Sequence, residues 1–142
     1  MPLRNLNHLL VVSDDLEATR AFYEDLLGLS VGPRPPFGFP GYWLYLGDRA
    51  VVHLAQRGGA DARTDGLRGG EVPGDGGTGA IDHIAFEANG LADMVARLER
   101  HAIATRHRKV PGQGLHQVFV RDPNGVTIEL NFPAAEGAGF DG

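Results

Sequence analysis

At 142 residues the chain has room for one domain, or for two small modules sharing a core, and too little for two independent domains of ordinary size. A net charge of −5, a pI near 5.6 and no basic run longer than His107-Arg108-Lys109 argue against a nucleic-acid partner. The absence of cysteine excludes disulfides, thiolate nucleophiles and sulfur-ligated metals, leaving His and carboxylate donors suited to Fe, Mn, Ni, Zn or Co.

The apolar run Leu6 to Val12 predicts a strand that contains His8. Its longest aliphatic stretch, Leu9 to Val12, is far short of the about 20 residues of a membrane span. With no signal-like segment at the N-terminus, a cytoplasmic location is expected. A helix follows, with Asp14 as N-cap, Glu17 three residues on, Ala18, Ala21, Phe22 and Leu26 on its apolar face, and Gly28 to stop it. Leu29 to Arg34 reads as a strand and Pro35 to Pro40 as a connection. Tyr42 to Leu46 and Ala50 to Gln56 then form a hairpin turning on Gly47-Asp48-Arg49. The first module, 3–56, is therefore βαβββ.

Residues 57–79 hold nine of the 21 glycines, with few apolar residues and no periodicity. A stretch of this kind is a lid or a linker, and a linker is expected. The second module, 80–132, repeats the first. It has a strand from Ala80 to Glu87 and a helix opened by Asn89, whose Leu91, Met94, Val95 and Leu98 follow the i, i+3, i+4, i+7 pattern. Ile103 to Lys109 is the next strand. His116 to Arg121 then pairs with Val126 to Phe132 through the tight turn Asp122-Pro123-Asn124-Gly125, where proline presets φ and glycine accepts a positive one. The tail, 133–142, is expected to fray.

Four metal-ligand residue types fall in register across this repeat. His83 stands 75 positions after His8, and Glu129 stands 76 after His53. One buried histidine is more often a satisfied core group than a ligand, but four matched donors make a divided metal site the leading reading. Strand parity adds to it. In the last strand Val126, Ile128 and Leu130 share an apolar face, while Thr127, Glu129 and Asn131 share a polar one that projects away from the helix side. In the other three strands both faces are largely apolar, so His8, His53 and His83 are expected in buried surroundings and in need of partners. His101 and His107 read as solvated, and His116 as a bland strand-start residue.

The duplicated order, together with Phe22-Tyr23-Glu24-Asp25-Leu26-Leu27-Gly28-Leu29 and Asp122-Pro123-Asn124-Gly125-Val126-Thr127-Ile128-Glu129, resembles the vicinal oxygen chelate superfamily from Leu6 to Phe132. That superfamily includes glyoxalase I, extradiol dioxygenases, fosfomycin-resistance enzymes, methylmalonyl-CoA epimerase and bleomycin-binding proteins. The resemblance implies an α+β fold in which two tandem βαβββ modules form a half-open, eight-stranded, barrel-like sheet with helices outside, spanning 1–142 as a single domain. It implies a divalent ion, Fe2+ favoured over Mn2+, Ni2+ or Zn2+, held by His8, His83 and Glu129. His53 is a fourth ligand or a proton carrier, so His53 and Glu129 are the catalytic candidates. Tyr42, Trp43, Tyr45, Gln117 and Phe119 would line the substrate pocket, and Arg34 and Lys109 end equivalent strands where they could hold an anion. A homodimer acting on a small molecule is also implied.

The reaction expected is extradiol-dioxygenase-like, because two histidines and a carboxylate leave open positions for a substrate's adjacent oxygens. Phe119 nevertheless replaces the tyrosine of that family's signature, and Val110-Pro111-Gly112 occupies the window where it has a histidine. Glyoxalase-like isomerisation is the alternative, although glyoxalase I places a glutamate where His53 stands. A metal-free drug- or metabolite-sequestering protein is the alternative of another class. A fosfomycin-type transferase is a third, and it would need a thiol nucleophile and a cation-rich phosphonate pocket.

Overall fold

The computed structural model describes residues 5–57, 81, 83–110 and 112–141. Apart from Arg57, the glycine-rich segment read above as a linker lies outside these residues. The chain divides into two compact units, Met1–Asp75 and Gly76–Gly142.

In the first unit, β1 (Leu9–Ser13) leads into α1 (Leu16–Ala21), which widens into a π-helical turn over Phe22–Leu26. Then come β2 (Ser30–Gly32), β3 (Gly41–Leu46) and β4 (Arg49–Gln56), giving a four-stranded sheet in the order β1-β4-β3-β2. Strands β1 and β4 are parallel, and the other pairs are antiparallel. The second unit follows the same plan with β5 (His83–Glu87), α2 (Leu91–Arg100), β6 (Arg106–Val110), β7 (Leu115–Arg121) and β8 (Thr127–Pro133), in the order β5-β8-β7-β6. The fold is α+β, two tandem βαβββ modules, and neither sheet closes on itself. Among the described residues no helix is long and apolar enough to cross a membrane.

Alternation along the strands separates a core face from a second face. Val11, Leu44, Val52 and Leu54 are buried in the first unit, as are Phe22, Tyr23 and Leu26 of the helix and its π-turn. Val118, Val120, Ile128, Leu130 and Phe132 play this part in the second, along with Leu91, Val95 and Leu98 of α2. Each side chain of this size contributes about 1.5–3 kcal/mol when fully buried. A buried bond of 2.7 Å between Ser13 Oγ and Thr19 Oγ1 ties the end of β1 to α1.

Several local expectations are corrected. Asp15, not Asp14, caps α1, its Oδ1 accepting from Ala18 N at 3.0 Å, while Asp14 pairs with Arg57 at 2.9 Å. The predicted first helix does not stay α-helical, since Leu27 N donates to Phe22 O one residue beyond the α register. Gly28, at φ +84°, does end it. The cap of α2 is Gly90, not Asn89; its N–H donates to Glu136 Oε1 at 3.0 Å, a bond that draws the C-terminal segment in. The tail expected to fray instead forms a 3-10 turn over Ala134–Gly137, and Gly137 is buried. Strands β1, β2, β5 and β6 are shorter at their starts or ends than the hydrophobic runs suggest, so His8 precedes β1 by one residue.

Candidate functional site

In the first unit, the face opposite the helix carries His8 and Leu10 from the β1 side, His53 from β4, and Trp43 and Tyr45 from β3. Register places Leu10, His53 and Trp43 in one row. The imidazoles of His8 and His53 stack with centroids 3.7 Å apart and planes 9° from parallel, and Trp43 stacks on the other side of His53 at 4.0 Å and 15°. His8, His53, Trp43 and Tyr45, with Phe37 and Phe39, line an open hollow of about 690 Å³. His8 Nδ1 donates to Asn7 Oδ1 at 2.8 Å, which leaves the Nε2 lone pair for an electrophile. His53 Nε2 donates to Ala50 O at 3.1 Å, fixing the opposite tautomer. Burial, with the neighbouring His8, holds the His53 pKa below its ordinary value and keeps the ring neutral.

In the second unit the corresponding face carries a chain of polar contacts. Arg108 Nε donates to Gln117 Oε1 at 2.8 Å, Gln117 Nε2 to Asn131 Oδ1 at 3.0 Å, and Asn131 Nδ2 to Glu129 Oε2 at 2.9 Å. Glu129 Oε1 then lies 3.6 Å from His83 Nε2. Glu129 is 9% exposed, so its carboxylate is oriented from one side and presented to His83 on the other. Phe119, beside Glu129 in register, lies under the Arg106 guanidinium at 4.4 Å.

Two donors bound to one ion at about 2.1 Å stand roughly 3.0–3.4 Å apart at tetrahedral or octahedral angles. The His83–Glu129 spacing is a small step wider, and Glu129 has the supporting hydrogen bond that ligating carboxylates carry. His8, its Nδ1 bonded to Asn7, leaves Nε2 to face a ligand. His53 fits poorly as a co-ligand of His8, because parallel stacked rings aim their in-plane lone pairs side by side instead of at one point. Among the described residues no three His or carboxylate side chains already stand together as a cage. The donor chemistry and the prepared His83–Glu129 pair nonetheless suit a divalent cation.

Other candidates are placed differently from their sequence reading. Tyr42 is on the helix-side face, where its hydroxyl donates to Glu17, so it is separated from Trp43 and Tyr45. His8 and His83 are exposed, not enclosed. Lys109 faces the core side with His116, its partner in register, and the residue in Arg34's place is Arg108. Arg34 donates to Gly41 O and Phe39 O at 2.6 and 2.8 Å and rests against Phe37 and Phe39, holding the loop before β3. His101 is exposed as its sequence reading expects, with Nδ1 donating to Arg97 O at the end of α2. His116 is fully buried and bonded to His107 at 2.8 Å, with Phe140 stacked on His107. Sequence reasoning did not single out Asn7, Arg106, Arg108 or Arg121. The alternation in Arg106-His107-Arg108-Lys109 held the signal, since it puts both arginines on the face of Glu129.

The family model described as the Glyoxalase/Bleomycin resistance protein/Dioxygenase superfamily matches residues 5–130. The chain belongs to this superfamily. It is 28% identical to the mitochondrial methylmalonyl-CoA epimerase of Bos taurus, covering 90% of this chain and 74% of that protein. Its fold matches the lactoylglutathione lyase of Agrobacterium tumefaciens with a TM-score of 0.66 at 25% identity, covering 99% of this chain and 100% of the other. A fosfomycin resistance protein from Listeria monocytogenes matches in fold with a TM-score of 0.67 at 12% identity, covering 94% and 97%.

Proposed function

We propose that this superfamily member is a divalent-metal isomerase or lyase that moves a proton beside a carbonyl in a small substrate with two neighbouring oxygens. The observation that carries the reading is the prepared pair of His83 and Glu129, its carboxylate held by the Asn131–Gln117–Arg108 chain. In this reading His8, His83 and Glu129 would hold the ion, and their donor types suit Fe2+, Mn2+, Co2+, Ni2+ or Zn2+. When bound, the ion polarises the carbonyl and stabilises the negative charge that develops as the neighbouring proton leaves.

His53 is the proton carrier. Its burial keeps it neutral, its bond to Ala50 fixes the tautomer, and the rings of His8 and Trp43 hold its plane. Glu129 supplies charge and ligation. Trp43, Tyr45 and Phe119 give apolar surface for the substrate, and Gln117 orients Asn131. The curated relatives named for epimerase chemistry and the fold relative named for lyase chemistry support proton transfer ahead of ring cleavage.

Extradiol cleavage is the second reading, favoured by the aromatic lining of Phe37, Phe39 and Trp43. Against it, Phe119 has no hydroxyl to give and its ring lies under Arg106.

The test is metal quantification on anaerobically purified protein, then solvent-deuterium exchange into methylmalonyl-CoA and a methylglyoxal hemithioacetal. One ion per chain and metal-dependent exchange are expected, with Glu129→Gln losing both and His53→Gln losing exchange while keeping the ion. Oxygen uptake with a catechol panel and no exchange would move the assignment to the dioxygenase reading. A protein that binds no ion and exchanges neither substrate is not an enzyme of this kind.

A further inference from the structure

Beyond the ligand set, the second unit holds a group of cations that the function above does not use. Three rows cross the face that bears Glu129. Asn131, Gln117 and Arg108 form one, Glu129, Phe119 and Arg106 the next, and His83, Thr127 and Arg121 the third. Arg106 and Arg121, with Thr127, Thr105 and the Phe119 ring, line a hollow of about 430 Å³ beside the start of β6. Neither Arg106 nor Arg121 pairs with a carboxylate among the described residues, although two guanidiniums brought to one hollow repel each other. Edge arginines that only keep a sheet from pairing with a neighbour extend into water. The Arg106 guanidinium instead sits over the Phe119 ring, its central carbon 4.4 Å from the centroid, a cation–π contact that restrains the side chain. Thr127 adds a hydroxyl at the position in register with His83.

We propose that this hollow is an oxyanion site, in which Arg106, at the β6 end of Glu129's row, and Arg121, in the next row, hold a carboxylate or phosphoryl group of the substrate. Two forked cations, a hydroxyl and an aromatic floor suit a planar or tetrahedral anion joined to an apolar stem. Arg108 does not share this duty, because its Nε is committed to Gln117. The inference rests on the metal-enzyme reading only for assigning the anion to the substrate; the binding itself needs no ion. The substrate class becomes an anionic molecule whose charged group lies away from its pair of chelating oxygens.

The test uses the full chain in chelator, titrated with inorganic pyrophosphate and, separately, with succinate. It is followed by calorimetry and by the arginine Nε–Hε resonances. Saturable binding of at least one probe is expected, and the one preferred shows which oxyanion the site selects. Arg106→Gln and Arg121→Gln should each weaken it about tenfold or more, the loss expected for a hydrogen bond to a charged group. Arg106→Lys should recover part of the loss, and Arg100→Gln on α2 should leave binding unchanged. Glu129→Gln, which removes the metal, should still bind the probe. No saturation by either probe, or a folded Arg106→Gln/Arg121→Gln double variant that binds like the parent, overturns the proposal. Because the metal and exchange measurements above are independent, either reading can fail while the other stands.

Discussion

Burial, followed by the nearby His107 and Lys109, lowers the His116 pKa from its ordinary 6.5. Its Nδ1 has no hydrogen-bond partner among the described residues, and Gly137 packs directly over it, at a distance where a Cβ would stand 2.4 Å from that nitrogen. The less costly tautomer therefore has His116 Nε2–H donating to His107 Nδ1, which leaves a bare lone pair in the core and not a stranded donor. Protonation would put an unsatisfied charged donor there. The unfolded chain takes up that proton more readily than the folded one, so this contribution to stability is full above pH 6.5 and is lost as the pH falls toward the depressed folded value. The thermal midpoint should be higher at pH 7.5 than at pH 5.5, and His116→Gln should narrow the difference. An unchanged difference would place the pH sensitivity elsewhere. Nothing in Leu115-His116-Gln117 announced this burial, because it depends on the tail folding back, and the tail's small residues give no periodicity to read.

At the scale of elements, Gly41 shows how closely the first hairpin is fitted. A Cβ there would sit 2.2 Å from the Leu54 carbonyl oxygen, a backbone atom that cannot swing aside. Gly41→Ala should cost about 1–3 kcal/mol, the usual range for overpacking, read as a lower urea midpoint. Gly139→Ala, with open space around its Cβ, is the control and should be neutral. The strands and both hairpins were legible because their turns carry Gly47 and Asp122-Pro123-Asn124-Gly125, whose glycines do adopt positive φ. Buried Asp122 adds bonds from Asn124 N and Val126 N that lock the second turn. The caps were less legible. Asp14 and Asp15 are equally good N-caps by type, and the choice follows from Asp14's pairing with Arg57, more than 40 residues away. The π-turn was invisible to an apolar pattern that a wide turn and a tight turn satisfy alike.

For the whole molecule, the repeat read from four spaced residues is the repeat of the fold, because offsets of 75 and 76 in sequence become equivalent positions in two sheets of identical strand order. The polar neighbours of the donors were only partly readable. Asn131 follows from parity and Gln117 was expected in the pocket lining, but Arg108 and the bonds that link the three needed the register between β6, β7 and β8. The superfamily resemblance implies that the protein pairs, and Leu6, Leu46 and Ile81 remain 52–76% exposed as apolar surface for a partner copy. Sedimentation at micromolar concentration should give twice the 15.2 kDa chain mass, and a single monomeric boundary would contradict it.

The two sheets differ where they should be interchangeable. Opposite Trp43 stands Gly32, and opposite Phe119 stands Arg106; Gly41 and Ala55 face each other where the second unit has Gln117 and Asn131. A chimaera made of two first halves would carry two ring stacks and no carboxylate in the place of Glu129. One made of two second halves would carry two arginine-lined hollows and no imidazole in the place of His53. Both could keep the strand order, and neither would hold the full complement of groups, so the duplication survives as architecture after its copies have become chemically complementary.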